Sequence, residues 1–192
     1  MAEKSNEWYT PAKYIEAARE VMGAIDLDPA SCELANQTVK ASRYYSKEDN
    51  GLSKEWYGRV WLNPPYGRSQ LMKAQGKSTI ELFSSKLIEH YHRGEVTQAI
   101  FLGTSQIDAR WFQPLWEFPI CFPGYKVHFL TDGRHTNYAH MFGTCFIYLG
   151  PHEQKFVNTF SQFGRIAKAV DTPRHEVAPI QLWEVAPERI YA

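Results

Sequence analysis

The sequence predicts an α/β fold built on a mostly parallel sheet with an antiparallel edge. Three observations carry that expectation. Short apolar, strand-like runs at 24–28, 59–62 and 96–102 alternate with helical patterns. The segments from 120 to 149 are β-rich and follow that alternation rather than joining it. The 192 residues, 44% hydrophobic and 22% charged, suit one domain with one core. Alternating strands and helices favour parallel pairing, and a β-rich end supplies antiparallel neighbours.

The elements follow in order. Thr10-Pro11 reads as a helix start, with Thr as the cap and Pro at the first helical position. That helix runs from Ala12 to Met22 and ends at Gly23. Ala24 to Asp28 reads as a short strand with carboxylates near its end, and 32–55 as polar and turn-rich, with a turn at Asp49-Asn50-Gly51. Arg59-Val60-Trp61-Leu62 is a second strand, stopped after Asn63 by Pro64 and Pro65. A polar, basic loop covers 67–76. Ser78-Thr79-Ile80-Glu81 is a capping box. The helix it opens carries Ile80, Phe83, Leu87, Ile88 and Tyr91 on one face and stops at Gly94. Val96 to Leu102 is the most apolar strand, and 107–117 reads as a short aromatic helix. Strands are expected at 120–122, 126–130 and 141–149, and a further helix over 152–168, with Phe156, Phe160, Phe163 and Ile166 facing inward. Residues 171–192, with three prolines, read as a tail packed on a single domain that spans 1–192.

Composition excludes several classes. No apolar run approaches the ~18 residues of a membrane span. The N-terminus lacks the apolar core of a secretory signal. Cys32, Cys121 and Cys145 are scattered and odd in number, so they suggest neither a disulfide framework nor a zinc site. The expectation is a soluble protein of the cytoplasm. Its 21 basic and 21 acidic side chains cancel, but residues 59–93 hold six basic against two acidic groups. Such a block serves either as a phosphate-contacting face or as an ordinary solvated helix surface.

The sharpest local feature is Asn63-Pro64-Pro65-Tyr66, directly after an expected strand. Chance supplies this tetrapeptide about once in a couple of thousand chains of this length. In an open parallel sheet, ligands bind at the loops after the strands' C-terminal ends. Two prolines make such a loop stiff and leave its carbonyls exposed. The arrangement suits chemistry at an exocyclic amino group, whose lone pair is delocalised into its ring. The Asn63 side-chain oxygen and the Pro64 carbonyl can each accept one amino hydrogen and localise that lone pair. Tyr66 can stack on a base swung out of a helix. Positioning and electrostatics then suffice for attack on an activated methyl group.

Asn-Pro-Pro-Tyr resembles the catalytic motif of S-adenosylmethionine-dependent methyltransferases acting on adenine N6 or cytosine N4. The chain as a whole resembles the small phage-type DNA N6-adenine methyltransferases. Trp8-Tyr9-Thr10-Pro11, Asp26-Leu27-Asp28-Pro29-Ala30-Ser31, Tyr44-Tyr45, Asp49-Asn50-Gly51-Leu52 and Trp56-Tyr57-Gly58-Arg59-Val60 precede Asn63-Pro64-Pro65-Tyr66-Gly67 in the family's order. The resemblance covers 8–67 well and is weaker from 96 to 149.

The resemblance implies a Rossmann-like class I methyltransferase domain that takes S-adenosyl-L-methionine as cofactor and double-stranded DNA as partner. It implies methyl transfer to adenine N6 in a short site, with the base flipped out, inside a cell hosting a phage. Asn63, Pro64, Pro65 and Tyr66 are the catalytic candidates. Tyr9, Thr10, Pro11, Asp26, Asp28, Pro29, Ala30, Ser31 and Asp49 are the cofactor-binding candidates. One departure stands out: such enzymes carry Gly-x-Gly after the first strand, and this chain has Pro29-Ala30-Ser31-Cys32.

Arg68, Lys73 and Lys77 are placed to contact phosphates beside the flipped nucleotide. Arg134 and His135, next to an expected hairpin turn at Asp132-Gly133, can read base edges. His128, His135 and His140 lie in the same region, but no spacing there supports a metal site. The motif by itself leaves N4-cytosine, RNA or an amide as acceptor, or a non-catalytic relic that only holds cofactor or DNA. The oligomeric state stays open between a monomer and a weak dimer.

Overall fold

The computed structural model describes residues 8–65, 76–131, 134–139 and 143–170. A seven-stranded sheet runs through them in the order β2-β1-β3-β4-β8-β5-β9. Its strands are β1 (Leu27–Asp28), β2 (Arg43–Tyr44), β3 (Gly58–Leu62), β4 (Val96–Thr104), β5 (Ile120–Pro123), β8 (Thr144–Leu149) and β9 (Gly164–Ala167). The strands β6 (His128–Thr131) and β7 (Arg134–Ala139) form a separate antiparallel pair. The first four strands of the sheet pair in parallel. β8, β5 and β9 join by antiparallel pairings, so β5 runs in the direction of the first four strands and only β8 and β9 run against it.

The two faces of the sheet carry separate apolar clusters. On one face, α1 (Ala12–Met22) and α4 (Glu153–Phe160) pack Ile15, Ala18, Val21, Phe156 and Phe160 against Trp61, Ile100, Leu102, Phe146 and Tyr148. On the other, α3 (Thr79–His92) and the 3-10 helix Arg110–Glu117 pack Phe83, Leu87, Phe112 and Leu115 against Val60, Leu62, Phe101, Ile147 and Leu149. Alternation along β3 and β4 explains this, because successive side chains of a strand point to opposite faces. Removing so many fully buried side chains from water is the main drive for the three-layer arrangement.

Several expected elements are present where local signals were strong. α1 spans Ala12–Met22 and stops at Gly23, whose φ is +86°. The capping box at α3 is formed in both directions: the Ser78 hydroxyl accepts from the Glu81 N–H, and the Glu81 carboxylate accepts from the Ser78 N–H.

Three expectations need correction. Thr10 does not cap α1; Pro11 occupies the N-cap position and no side chain caps it. The stretch 32–55 holds a helix, α2 (Glu33–Val39), and the strand β2, besides its turns. α2 lacks an apolar stripe, with only Val39 buried. It is held by Arg19 of α1, whose guanidinium donates to the Thr38 and Val39 carbonyls at 3.0 and 2.7 Å. The helix expected over 152–168 ends at Phe160, and 164–167 is the strand β9 paired with β5. Phe163 and Ile166 still pack on the same apolar cluster, so the inward pattern was right and its period misread. The proposed tail at 171–192 lies outside the described residues.

The connections fix where a site can form. The crossover through α2 leads from β1 outward to β2, whereas β3 lies on β1's other side. The chain therefore leaves β1 and β3 in diverging directions at their C-terminal ends. Open α/β sheets bind ligands in the crevice such a switch point creates.

Candidate active site

Two loops flank that switch point, Pro29-Ala30-Ser31-Cys32 after β1 and Asn63-Pro64-Pro65 after β3. The N-terminal segment Trp8 to Pro11 touches both. Asn63 Nδ2 donates to the Trp8 carbonyl at 3.1 Å and to Thr10 Oγ1 at 3.3 Å. Cys32 Sγ contacts the Tyr9 hydroxyl at 3.8 Å. Tyr9 also exchanges both backbone hydrogen bonds with Leu130 of β6, each 2.9 Å long. β6 is thereby attached beside the loops through Leu130, near its end.

Among the described residues, two buried side-chain polar atoms have no hydrogen-bond partner, Ser31 Oγ and Asn63 Oδ1. They belong to the two switch-point loops. A buried oxygen left without a donor is costly, and in a folded protein it asks for an explanation. The orientation of the Asn63 amide is set by chemistry as well as by distance. The Trp8 carbonyl only accepts, so the NH₂ side must face it and the oxygen must face away.

Asp28, at the end of β1, is 3% exposed and has no cationic partner among the described residues. Burial pushes its carboxyl up to about 7, against a smaller opposing pull from the Ala30 N–H at 3.2 Å. The Ser31 hydroxyl adds a weaker pull of the same sign, although its oxygen makes no hydrogen bond of good geometry. Gly51 presses on this loop: a Cβ there would stand 2.0 Å from the Pro29 carbonyl oxygen. Only glycine allows the turn at 49–51 to approach so closely.

The structure brings Tyr9, Thr10, Asp28, Pro29, Ala30, Ser31, Asn63 and Pro64 to this corner, with Pro11 opening α1 beside it. It draws two other expected cofactor residues away. Asp26 gives both carboxylate oxygens to Arg59: Nη2 at 2.7 Å on Oδ1, and Nε and the backbone N–H at 2.8 Å on Oδ2. Arg59 holds that carboxyl below its ordinary value. Asp26 thus straps β1 to β3 through three bonds to Arg59. Asp49 accepts from the N–H and the hydroxyl of Ser46, both at 2.9 Å, so its carboxylate closes its own turn. Backbone contact through Gly51, rather than the Asp49 carboxylate, joins that turn to the corner.

Lys77 is exposed just before α3. Tyr66, Arg68 and Lys73 lie outside the described residues, as do the side chains of Arg134 and His135. Sequence reasoning missed Trp8 as a site residue, because its contribution is a backbone carbonyl that carries no side-chain signal. Glu55, His90 and Glu95 also gather, away from this corner. His90 Nδ1 lies 3.2 Å from the Trp56 carbonyl, in the loop before β3, and 2.5 Å from the Glu95 carboxylate, just before β4, so its ring joins α3 to both connections.

The model of the DNA N-6-adenine-methyltransferase (Dam) family matches residues 1–134. The chain belongs to that family. Both switch-point loops and the N-terminal segment fall within the matched residues. The DNA N-6-adenine-methyltransferase of Escherichia phage T1 is 39% identical over 67 residues. That stretch is 33% of this chain and spans 26% of the phage protein. No solved structure matches the chain significantly. No helix among the described residues is long and apolar enough to cross a membrane.

Proposed function

We propose that this Dam-family chain transfers a methyl group from S-adenosyl-L-methionine to N6 of adenine in double-stranded DNA, with the target base swung out of the helix. The carrying observation is Asn63 Oδ1, buried and unpartnered at the end of β3 while the nitrogen of the same amide is held from behind. An acceptor in that state suits a donor that arrives with the substrate, such as an amino N–H.

Asn63 Oδ1 takes one amino hydrogen, and the Pro64 carbonyl takes the other. Together they favour a pyramidal nitrogen whose lone pair is localised. The nitrogen gains the methyl group and releases one proton, so no strongly basic side chain is needed before attack. Pro64, buried, and Pro65, exposed, keep the loop stiff. Tyr66 is the stacking partner for the base.

The corner fits the cofactor by its donor set. Among the described residues, Ser31 Oγ is an orphaned hydroxyl and Asp28 a buried carboxyl without a cation, in a loop that replaces Gly-x-Gly with Pro29-Ala30-Ser31. These would hold its amino or ribose groups, with Tyr9 and Pro11 covering them. When bound, the cofactor supplies an activated methyl group on a sulfonium centre. The strand order, with antiparallel β8 between β4 and β5, supports a Rossmann-like class I methyltransferase fold. Arg68, Lys73 and Lys77 are assigned to phosphates and the β6–β7 pair, with Arg134 and His135, to base edges. The protein would act in the cytoplasm, where its DNA is.

Nucleoside mass spectrometry on unmethylated plasmid with labelled S-adenosyl-L-methionine tests the reading. Labelled N6-methyladenine that vanishes with Asn63→Ala is the expected result. Labelled N4-methylcytosine would replace the acceptor, and labelled DNA that persists with Asn63→Ala would remove the catalytic assignment.

A further inference from the structure

Thr10 is usually a residue one would give to the start of α1, yet its hydroxyl does no capping there. It is 8% exposed and lies 3.3 Å from Asn63 Nδ2. A primary amide has two N–H donors, and here one goes to the Trp8 carbonyl and the other to Thr10. Two partners on one planar group fix the plane of that group. The carbonyl decides which end is nitrogen, and the hydroxyl stops rotation about the bond to Cβ. The direction of the free Oδ1 lone pairs follows from both.

The anchors are themselves fixed. Tyr9 is clamped to Leu130 by two backbone bonds, and the Trp8 ring meets Phe129 edge-on at 5.6 Å between centroids. The segment therefore has a set position relative to β6, and it presents the Trp8 carbonyl and the Thr10 hydroxyl on either side of one residue.

We infer that Thr10 is a positioning residue for methyl transfer: with the Trp8 carbonyl it locks the Asn63 amide so that Oδ1 faces the acceptor amine. This rests on the catalytic reading of Asn63 above. It differs from the role expected of Thr10 from sequence, which was contact with the cofactor. Thr10→Val preserves the β-branched shape and removes the oxygen. One amide N–H then loses its partner and the plane is free to swing. Misplacement of a reacting group by ~1 Å can cost ~10²-fold in rate.

The test is steady-state methyl transfer by the full chain on plasmid DNA for Thr10→Val, Thr10→Ser, Asn63→Ala and the double variant Thr10→Val/Asn63→Ala. Cofactor affinity is measured by calorimetry and the melting temperature by thermal unfolding. For Thr10→Val we expect kcat to fall about tenfold or more while the cofactor Kd and the KM for DNA stay within about twofold. Thr10→Ser restores kcat, and the double variant is no slower than Asn63→Ala alone, because both changes remove one interaction. Equal kcat for Thr10→Val with an inactive Asn63→Ala overturns the positioning role and leaves the catalytic reading intact. A cofactor Kd that weakens as much as the rate falls also overturns it, by returning the hydroxyl to the cofactor. Full activity of Asn63→Ala overturns both. A melting temperature lowered in Thr10→Val and in Thr10→Ser alike, with kcat unrescued, marks a packing role and overturns the inference.

Discussion

Asp26 and Asp28 stand two residues apart around the same short strand, and their surroundings differ completely. Asp26 meets a guanidinium in a two-pronged pair and a backbone N–H besides, so both its oxygens are occupied by donors of Arg59. Asp28 is buried with a single weak backbone donor at 3.2 Å and no cation among the described residues. The first carboxyl is held low and the second is pushed up to about 7. Saturated polar groups of the first kind hold a fold together. Unsaturated ones of the second kind are stable only because the rest of the fold holds them, and they mark places where a ligand is expected. The contrast repeats at the other end of β3. Gly58, with φ +68° and a Cβ position 2.6 Å from Asp26 Oδ2, belongs to the saturated end, and Asn63 to the unsaturated one.

Breaking the unsaturated end should have the largest consequence. Asn63→Ala is expected to lower methyl transfer by roughly a thousandfold or more without weakening cofactor binding, since the lost acceptor acts on the reacting nitrogen. Single-turnover rates with calorimetric cofactor titration would check it. An unchanged rate would dissolve the functional half of the comparison.

The Asp28 carboxyl should be visible in pH dependence. Its unfolded value is an ordinary ~4 and its folded value about 7, so the folded chain holds an extra proton between them. The associated stability is complete below about pH 4 and is lost as pH rises through 7. Urea melts of the ligand-free protein from pH 4 to 8 should show a decline on the order of a few kcal/mol that Asp28→Asn flattens. If a cationic group of the cofactor docks here, binding releases a proton near neutral pH. Calorimetry in buffers of different ionisation enthalpy reads that release, and its absence would detach Asp28 from the cofactor.

Breaking the saturated end should affect stability instead. Arg59→Gln removes the two-pronged pair, both partners being about one-third exposed, and should cost about 1–2 kcal/mol in urea unfolding. A wild-type melting curve would mean that the pair is ornamental. The smallest effect is reserved for the exposed Lys77. Replacing it with Ala should flatten the slope of log affinity for DNA against log salt by about 0.9, one phosphate contact. An unchanged slope removes Lys77 from the interface.

Legibility followed the range of the interactions. α1, the capping box of α3, β3 and β4 announced themselves through apolar period, cap residues and prolines within a few positions. The loop proposed as catalytic was legible for the same reason, as Asn63-Pro64-Pro65 closes an apolar run. α2 was not, since Arg19, fourteen positions before it, supplies what its own residues lack. β9 reads as helix in the sequence because Phe156, Phe160, Phe163 and Ile166 suit a helical stripe, whereas pairing with β5 claims Ile166 as a strand residue opposite Cys121.

By itself, the sequence determined the Asn63-Pro64-Pro65 loop proposed to carry the chemistry, the strand after which it falls and the family to which the chain belongs. Tertiary structure alone decided what each polar group does. Thr10 and Asn63 are 53 positions apart, and Asp26 and Arg59 are 33 apart. Whether a carboxyl is saturated or an amide oxygen left free depends on partners brought from that distance. Local propensity is set by near neighbours, whereas hydrogen-bond satisfaction and burial are set by whatever the folded chain places within about 3 Å.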